Sequence, residues 1–207
     1  IPRGGQSLVE RVVSVARMPV LKHYHGVCHV YVHSSADWEM AADIILNAKC
    51  QKPGVCNALE SVLIDREIVE GFAPMMAELL RAKGVKIYAD EETQKHWKDA
   101  FPATDQSWST EYLDLILSVK TVSGLDEAIA HINHYGSHHT DAIITTNEAA
   151  AKTFLHEVDS AVVVWNASTR FNDGGEFGFG AEIGISTDKF HARGPMGLAE
   201  LCSYKYI

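Results

Sequence analysis

The sequence predicts an α/β fold: a mainly parallel, twisted sheet with helices on both faces. Two observations carry this. Short apolar runs of strand length alternate with amphipathic stretches of helix length, at the pace of βαβ units. With 46% hydrophobic and 22% charged residues in 207, the composition is that of a globular chain able to bury a sizeable core.

Taken in order, residues 6–16 have helical spacing of Leu8, Val9, Val12, Val13 and Ala16. Residues 18–21 and 27–32 read as strands, the second alternating Cys28, Val30 and Val32 against His29 and Tyr31. Ser34-Ser35-Ala36-Asp37 is a turn that caps a helix over 38–50. Pro53-Gly54 ends that stretch, and 59–64 is a strand. A helix over 65–82 stops at Gly84, and 85–88 is a strand. A short helix over 91–98 leads into a polar loop, 99–109. Strands over 115–122, 141–146 and 161–165 are separated by helices over 125–135 and 148–158. Residues 201–207 read as a last short strand, with Tyr204 and Tyr206 alternating.

Charge and cysteine usage narrow the function. A net charge of −9 leaves no basic surplus for phosphate backbones, so no nucleic-acid partner is expected. No apolar run approaches a membrane span, and no signal peptide is visible. Cys28, Cys50, Cys56 and Cys202 are scattered rather than arranged as a secreted disulfide framework, so a cytoplasmic setting is expected. The opening Ile1-Pro2-Arg3-Gly4-Gly5 reads as the exit loop of an upstream strand, and the expectation is part of a longer protein.

Two stretches point to chemistry. Cys56 follows the Pro53-Gly54 turn, where a sulfur can face a cleft beside free backbone N–H groups. Such donors lower a thiol's pKa and can hold an oxyanion; the competing reading is a small buried thiol on a tight turn. Residues 166–193 break the strand–helix rhythm with Phe171, Gly174, Gly175, Phe177, Gly178, Phe179 and Gly180. Ligands in open α/β sheets bind beyond the carboxyl ends of strands, which places a site at this loop. Two histidine groups, His23/His25/His29 and His131/His134/His138/His139, lack an evident set of further ligands, and no metal is expected.

Several motifs together resemble one family. They are IPRGG at Ile1, GVCHVYV at Gly26, NAKCQKPGVCNALE around Cys56 and TEYL at Thr110. LDEAIAHINHYGSHHTDAI follows at Leu125, VDSAVVVWNASTRFNDGGEFGFGAEIGIST at Val158 and HARGPMGL at His191. In this order they resemble the gamma-glutamyl phosphate reductases (glutamate-5-semialdehyde dehydrogenases) of the aldehyde dehydrogenase superfamily. His33, Phe179 and Phe190 depart from the family's commoner residues without touching the chemistry.

The resemblance implies NADPH-dependent reduction of L-glutamyl 5-phosphate to L-glutamate 5-semialdehyde and phosphate, the second step of proline biosynthesis. It places the nucleophile on Cys56 and a cofactor contact on Glu111. It further suggests substrate contacts at Asn166, Ser168, Thr169, Arg170, His191 and Arg193, with Arg3 a further candidate anion contact. Near the place of the superfamily's hydrating glutamate stand Lys22, His23, Tyr24 and His25, with no carboxylate, which fits reduction rather than hydrolysis. The implied division is a tail of the NADP-binding domain over 1–35, a catalytic domain over 36–195 and an oligomerisation segment over 196–207, in a homodimer or higher oligomer. With most of the cofactor domain upstream, the chain alone is expected to be inactive. The alternatives are another superfamily enzyme acting on a different acyl or aldehyde substrate, and a non-catalytic assembly fragment.

Overall fold

A computed structural model describes residues 1–207. Helix α1 (Gln6–Val15) buries only Val9 and is followed by β1 (Cys28–Val32). Helix α2 (Trp38–Cys50) starts at Asp37, whose carboxylate accepts the Met40 N–H at 3.0 Å. Next come β2 (Leu59–Asp65) and α3 (Val69–Ala82), which ends as Gly84 takes a φ of 73°. Strand β3 (Lys86–Ala89), α4 (Glu91–His96) and the two-residue β4 (Phe101–Pro102) complete one side of the sheet. The remaining parallel elements are β5 (Ile116–Val122), α5 (Leu125–Tyr135), β6 (Thr140–Ile144), α6 (Glu148–Glu157) and β7 (Val162–Trp165). A small antiparallel hairpin, β8 (Gly184–Ser186) with β9 (Gly194–Met196), closes the list.

The main sheet has seven strands in the order β4-β3-β5-β2-β1-β6-β7, and every pairing in it is parallel. Helices cover both faces. Val30, Val32, Val62 and Ile64 pack with Ile45 of α2 and Phe72 and Met76 of α3. Tyr31, Leu63 and Ile143 point the other way, to Ile132 of α5 and Phe154 of α6. Burial on both sides is why the central strands carry near-continuous apolar runs rather than polar alternation.

Three expectations are corrected. Residues 18–21 form no strand; Met18 is exposed and no neighbouring strand pairs with the segment. Residues 99–109 are not a plain loop but hold β4 and a 3₁₀ turn, Asp105–Ser109. Residues 201–207 form no strand either: no strand pairs with them, and Tyr204 and Tyr206 are exposed. Strand β1 is hydrogen-bonded between β2 and β6, so residues 28–32 share the main sheet with the strands that follow residue 36.

Candidate active site

Cys56 lies in the turn between α2 and β2, and therefore at the amino ends of the central strands. This differs from the carboxyl-end placement expected from general α/β rules. The chain itself explains the difference. Asn166, just past β7, bonds to Thr145 through its side chain, whereas Asn172 reaches Thr140 Oγ1 at 2.6 Å. Residues 166–172 thus run back along β6 and deliver the irregular segment to the amino end, beside the Cys56 turn.

The turn is fixed from beneath and from the side. Lys49 Nζ sits 2.8 Å from Glu60 Oε2, the two side chains 0% and 1% exposed. Glu60 Oε1 accepts the Leu113 N–H at 3.2 Å. Burial pushes the Glu60 carboxyl up to about 7 against the pull of Lys49, and pushes the Lys49 ammonium down. Gly26 touches the turn's other side: a Cβ there would stand 1.7 Å from the Cys56 carbonyl oxygen, so only glycine fits. The Cys28 thiol donates to that same oxygen at 3.3 Å.

Cys56 itself is partly exposed and lines a cavity of about 140 Å³ with Arg3, His23, Glu182 and Ile185. Burial pushes its thiol up to about 11, with Glu111 and Glu182 adding to the rise. Its own backbone N–H and Arg3 oppose that rise without reversing it. The expected lowering by free N–H groups is therefore outweighed, and the resting thiol keeps its proton at neutral pH. The N–H groups of Cys56 and Asn57 have no backbone acceptor and remain as donors at the turn.

Two histidines approach the sulfur. His23 holds the Ile185 carbonyl through Nδ1 at 2.8 Å. His139 holds Thr140 Oγ1 through Nδ1 at 2.8 Å, and burial drives its pKa down to about 3, so the ring is neutral. Ligand atoms of His23, Cys56 and His139 lie within 4.8 Å of one another, the one such grouping able to hold a metal ion. Neither histidine group read from the sequence forms it.

The other candidate residues divide into two sets. Thr169 Oγ1 donates to the Asn57 carbonyl at 2.7 Å, and Arg170 pairs with Asn57 Oδ1 and with Gln51 Oε1. Ser168 Oγ accepts the Arg170 N–H at 3.2 Å. These three brace the Cys56 turn, and Arg170 lines a neighbouring cavity of about 280 Å³ with Gln51, Asp173 and Glu176. Glu111 belongs with them: its Oε1 accepts the Gly26 N–H at 2.8 Å. Asn166, with a φ of 52°, is spent on Thr145; His191 is exposed; Arg193 is tied to Asp159 at 3.0 Å. None of these last three lines the Cys56 cavity. Glu182 was not singled out from the sequence, although it lies inside a quoted motif, and His139 was named only within a histidine group set aside as a metal site.

No family model matches the chain. A gamma-glutamyl phosphate reductase of Rhodopirellula baltica is 58% identical over 207 residues, all of this chain and 48% of that protein. One from Caldanaerobacter subterraneus subsp. tengcongensis is 55% identical over the same span, 50% of its length. Over its whole length the chain is similar to gamma-glutamyl phosphate reductases. It spans about half the length of the curated relatives it matches. The crystal structure of a gamma-glutamyl phosphate reductase from Thermotoga maritima superposes on all of this chain, and on 50% of its own, with a TM-score of 0.97 at 50% identity. An acetylating aldehyde dehydrogenase from Geobacillus thermoglucosidasius matches over 81% of this chain with a TM-score of 0.64 at 21% identity, which shows a shared fold.

Proposed function

We propose that the protein carrying this chain reduces L-glutamyl 5-phosphate to L-glutamate 5-semialdehyde and phosphate with NADPH, through a thioester on Cys56. The observation that carries this is the partly exposed sulfur on a braced turn, with free N–H donors beside it and a cavity in front. Once deprotonated, Cys56 attacks the acyl carbonyl; the Cys56 and Asn57 N–H groups are placed to hold the oxyanion. The carbon–oxygen bond to phosphate breaks, phosphate leaves with the electron pair, and the acyl group stays on sulfur. Nicotinamide, met by Glu111, would supply the hydride that reduces the acyl group held on Cys56 to the aldehyde and frees the thiol.

The anionic substrate calls for cations. Arg3 lies in the cavity with Cys56, and Arg170 lies in the adjoining one. Ser168 and Thr169 serve this reading by holding Arg170 and the turn in register. Asn166, His191 and Arg193 have no such support. Glu111 spends Oε1 on Gly26 and leaves Oε2, 3.9 Å from His25 Nδ1, as the atom that would meet a nicotinamide ribose. Glu182 lines the cavity with Cys56 and accepts the Gly174 N–H at 3.0 Å, so the site holds a carboxylate and the choice of reduction over hydrolysis rests on the similarity to the reductases. Exposed Leu198, Leu201, Tyr204 and Tyr206 support burial against a second copy in a homodimer. No helix is long and apolar enough to cross a membrane, which is compatible with a cytoplasmic setting.

The test is a steady-state assay of the full-length protein in reverse, with glutamate 5-semialdehyde, NADP⁺ and phosphate. Phosphate-dependent NADPH formation is expected, and Cys56→Ala lowers kcat by roughly 10³–10⁶-fold. Turnover independent of phosphate, or full activity in Cys56→Ala, contradicts the proposal.

A further inference from the structure

The grouping of Cys56 with His23 and His139 has the make-up of a metal site that the proposed reaction does not use. Thiolate and neutral imidazole are the donors preferred by zinc and similar thiophilic divalent cations. Each ring spends Nδ1 on an oxygen, His23 on the Ile185 carbonyl and His139 on Thr140 Oγ1, both at 2.8 Å. That leaves Nε2 of each ring to bind, with the outer hydrogen bond fixing ring orientation as in known metal-ligating histidines. A second observation points the same way: His139 is 0% exposed, and its Nε2 has no hydrogen-bond partner. A buried polar nitrogen without a partner is costly, and a cation would satisfy it.

We propose that Cys56, His23 and His139 form a site for a thiophilic divalent cation, zinc being the best match, which reversibly withholds the sulfur from substrate. Binding exchanges the Cys56 thiol proton for the metal: one S–H bond breaks, one S–metal bond forms, and the proton goes to solvent. The three donors lie within 4.8 Å of one another, and metal–donor bonds of about 2.0–2.3 Å draw them inward by a modest side-chain adjustment. The fourth tetrahedral position opens onto the cavity of about 140 Å³, where water completes the shell. The inhibitory part rests on the reading of Cys56 as nucleophile; the binding part does not.

The experiment titrates metal-free full-length protein with cobalt(II) alone and records the thiolate-to-cobalt charge-transfer band. One cobalt per chain is expected, with the band lost in Cys56→Ser. In His23→Asn, whose amide can keep the hydrogen bond to Ile185, affinity falls at least about tenfold. Absence of the band, its survival in Cys56→Ser, or unchanged affinity in His23→Asn overturns the site. Zinc is then expected to block acylation of Cys56 by the acyl phosphate, with recovery on chelation; acylation at an undiminished rate with zinc bound overturns the inhibitory role. Cobalt binding without any acylation in metal-free protein sinks the reductase reading alone, and acylation without cobalt binding sinks the metal site alone.

Discussion

The turn that carries Cys56 and the glycine-rich segment that faces it are built by opposite means. The turn rests on buried contacts: the Lys49–Glu60 pair, the Gly26 backbone pressed on the Cys56 carbonyl, and Thr169 holding Asn57. The facing segment is shaped by its own backbone, with Gly178 and Gly180 at φ values of 79° and 78° and Phe179 N–H bonded back to the Gly174 carbonyl at 2.8 Å. Its Phe177, Phe179 and Ile183 stand in solvent. The sulfur's position is thus fixed by interactions shielded from water, whereas the facing segment adds to its own turns the bonds of Ile183 to Arg3 and Met196, the first of them exposed. A nucleophile must be held to within a fraction of an ångström, and a wall that admits substrate need not be.

That contrast can be broken most severely at the buried ion pair. Lys49→Met leaves the Glu60 carboxylate without its partner and is expected to cost about 3–5 kcal/mol in denaturant unfolding of the full-length protein. Lys49→Met combined with Glu60→Leu is expected to recover most of that loss, because both buried charges are gone. Gly26→Ala comes next. Its Cβ meets backbone rather than a flexible side chain, so a cost of about 1–3 kcal/mol is expected, together with loss of turnover as the Cys56 turn shifts.

Acid sharpens the comparison from the other face of the sheet. His131, packed beside His29 and Trp108 at ring-centroid distances of 5.7 and 5.6 Å, is driven down to about 3 by burial. In the unfolded chain it takes a proton near 6.5, so the unfolded state binds more protons below that pH. Stability is therefore fully present above pH 6.5 and declines as pH falls toward 3, by about 1.4 kcal/mol per pH unit for this residue. Chemical denaturation at stepped pH, with His131→Phe showing a shallower slope, checks the sign. The smallest effect belongs to the exposed part of the glycine-rich segment: Phe179→Ser is expected to change stability by less than about 0.5 kcal/mol, since that ring is 55% exposed.

Much of the fold was legible because its elements carry local signals. Helix α2 has its cap at Asp37 and its stop before Pro53, and helix α5 ends against Gly136, so their bounds of Trp38–Cys50 and Leu125–Tyr135 match the periodicity. The strand expected over 201–207 failed for want of a neighbour, which no local pattern supplies. For the site, a turn that presents Cys56 was legible from Pro53-Gly54. The sign of its pKa shift was not, because the burial that raises it, with Glu111 and Glu182 adding from distant parts of the chain, arises only on folding. The bracing by Arg170 and Thr169 was likewise hidden: hydroxyl and guanidinium groups suited to an anion serve equally to hold Asn57. His139 reads as one of a histidine run until β6 buries it against the sulfur.

The central claim is that Cys56 takes up the acyl group. Full-length protein mixed with L-glutamyl 5-phosphate in the absence of nicotinamide, quenched in acid and digested, tests it by mass spectrometry. A glutamyl adduct confined to the peptide bearing Cys56, and lost on hydroxylamine treatment, is the predicted result. An adduct on Cys28, Cys50 or Cys202 instead, or none on any cysteine while turnover persists, would contradict the account.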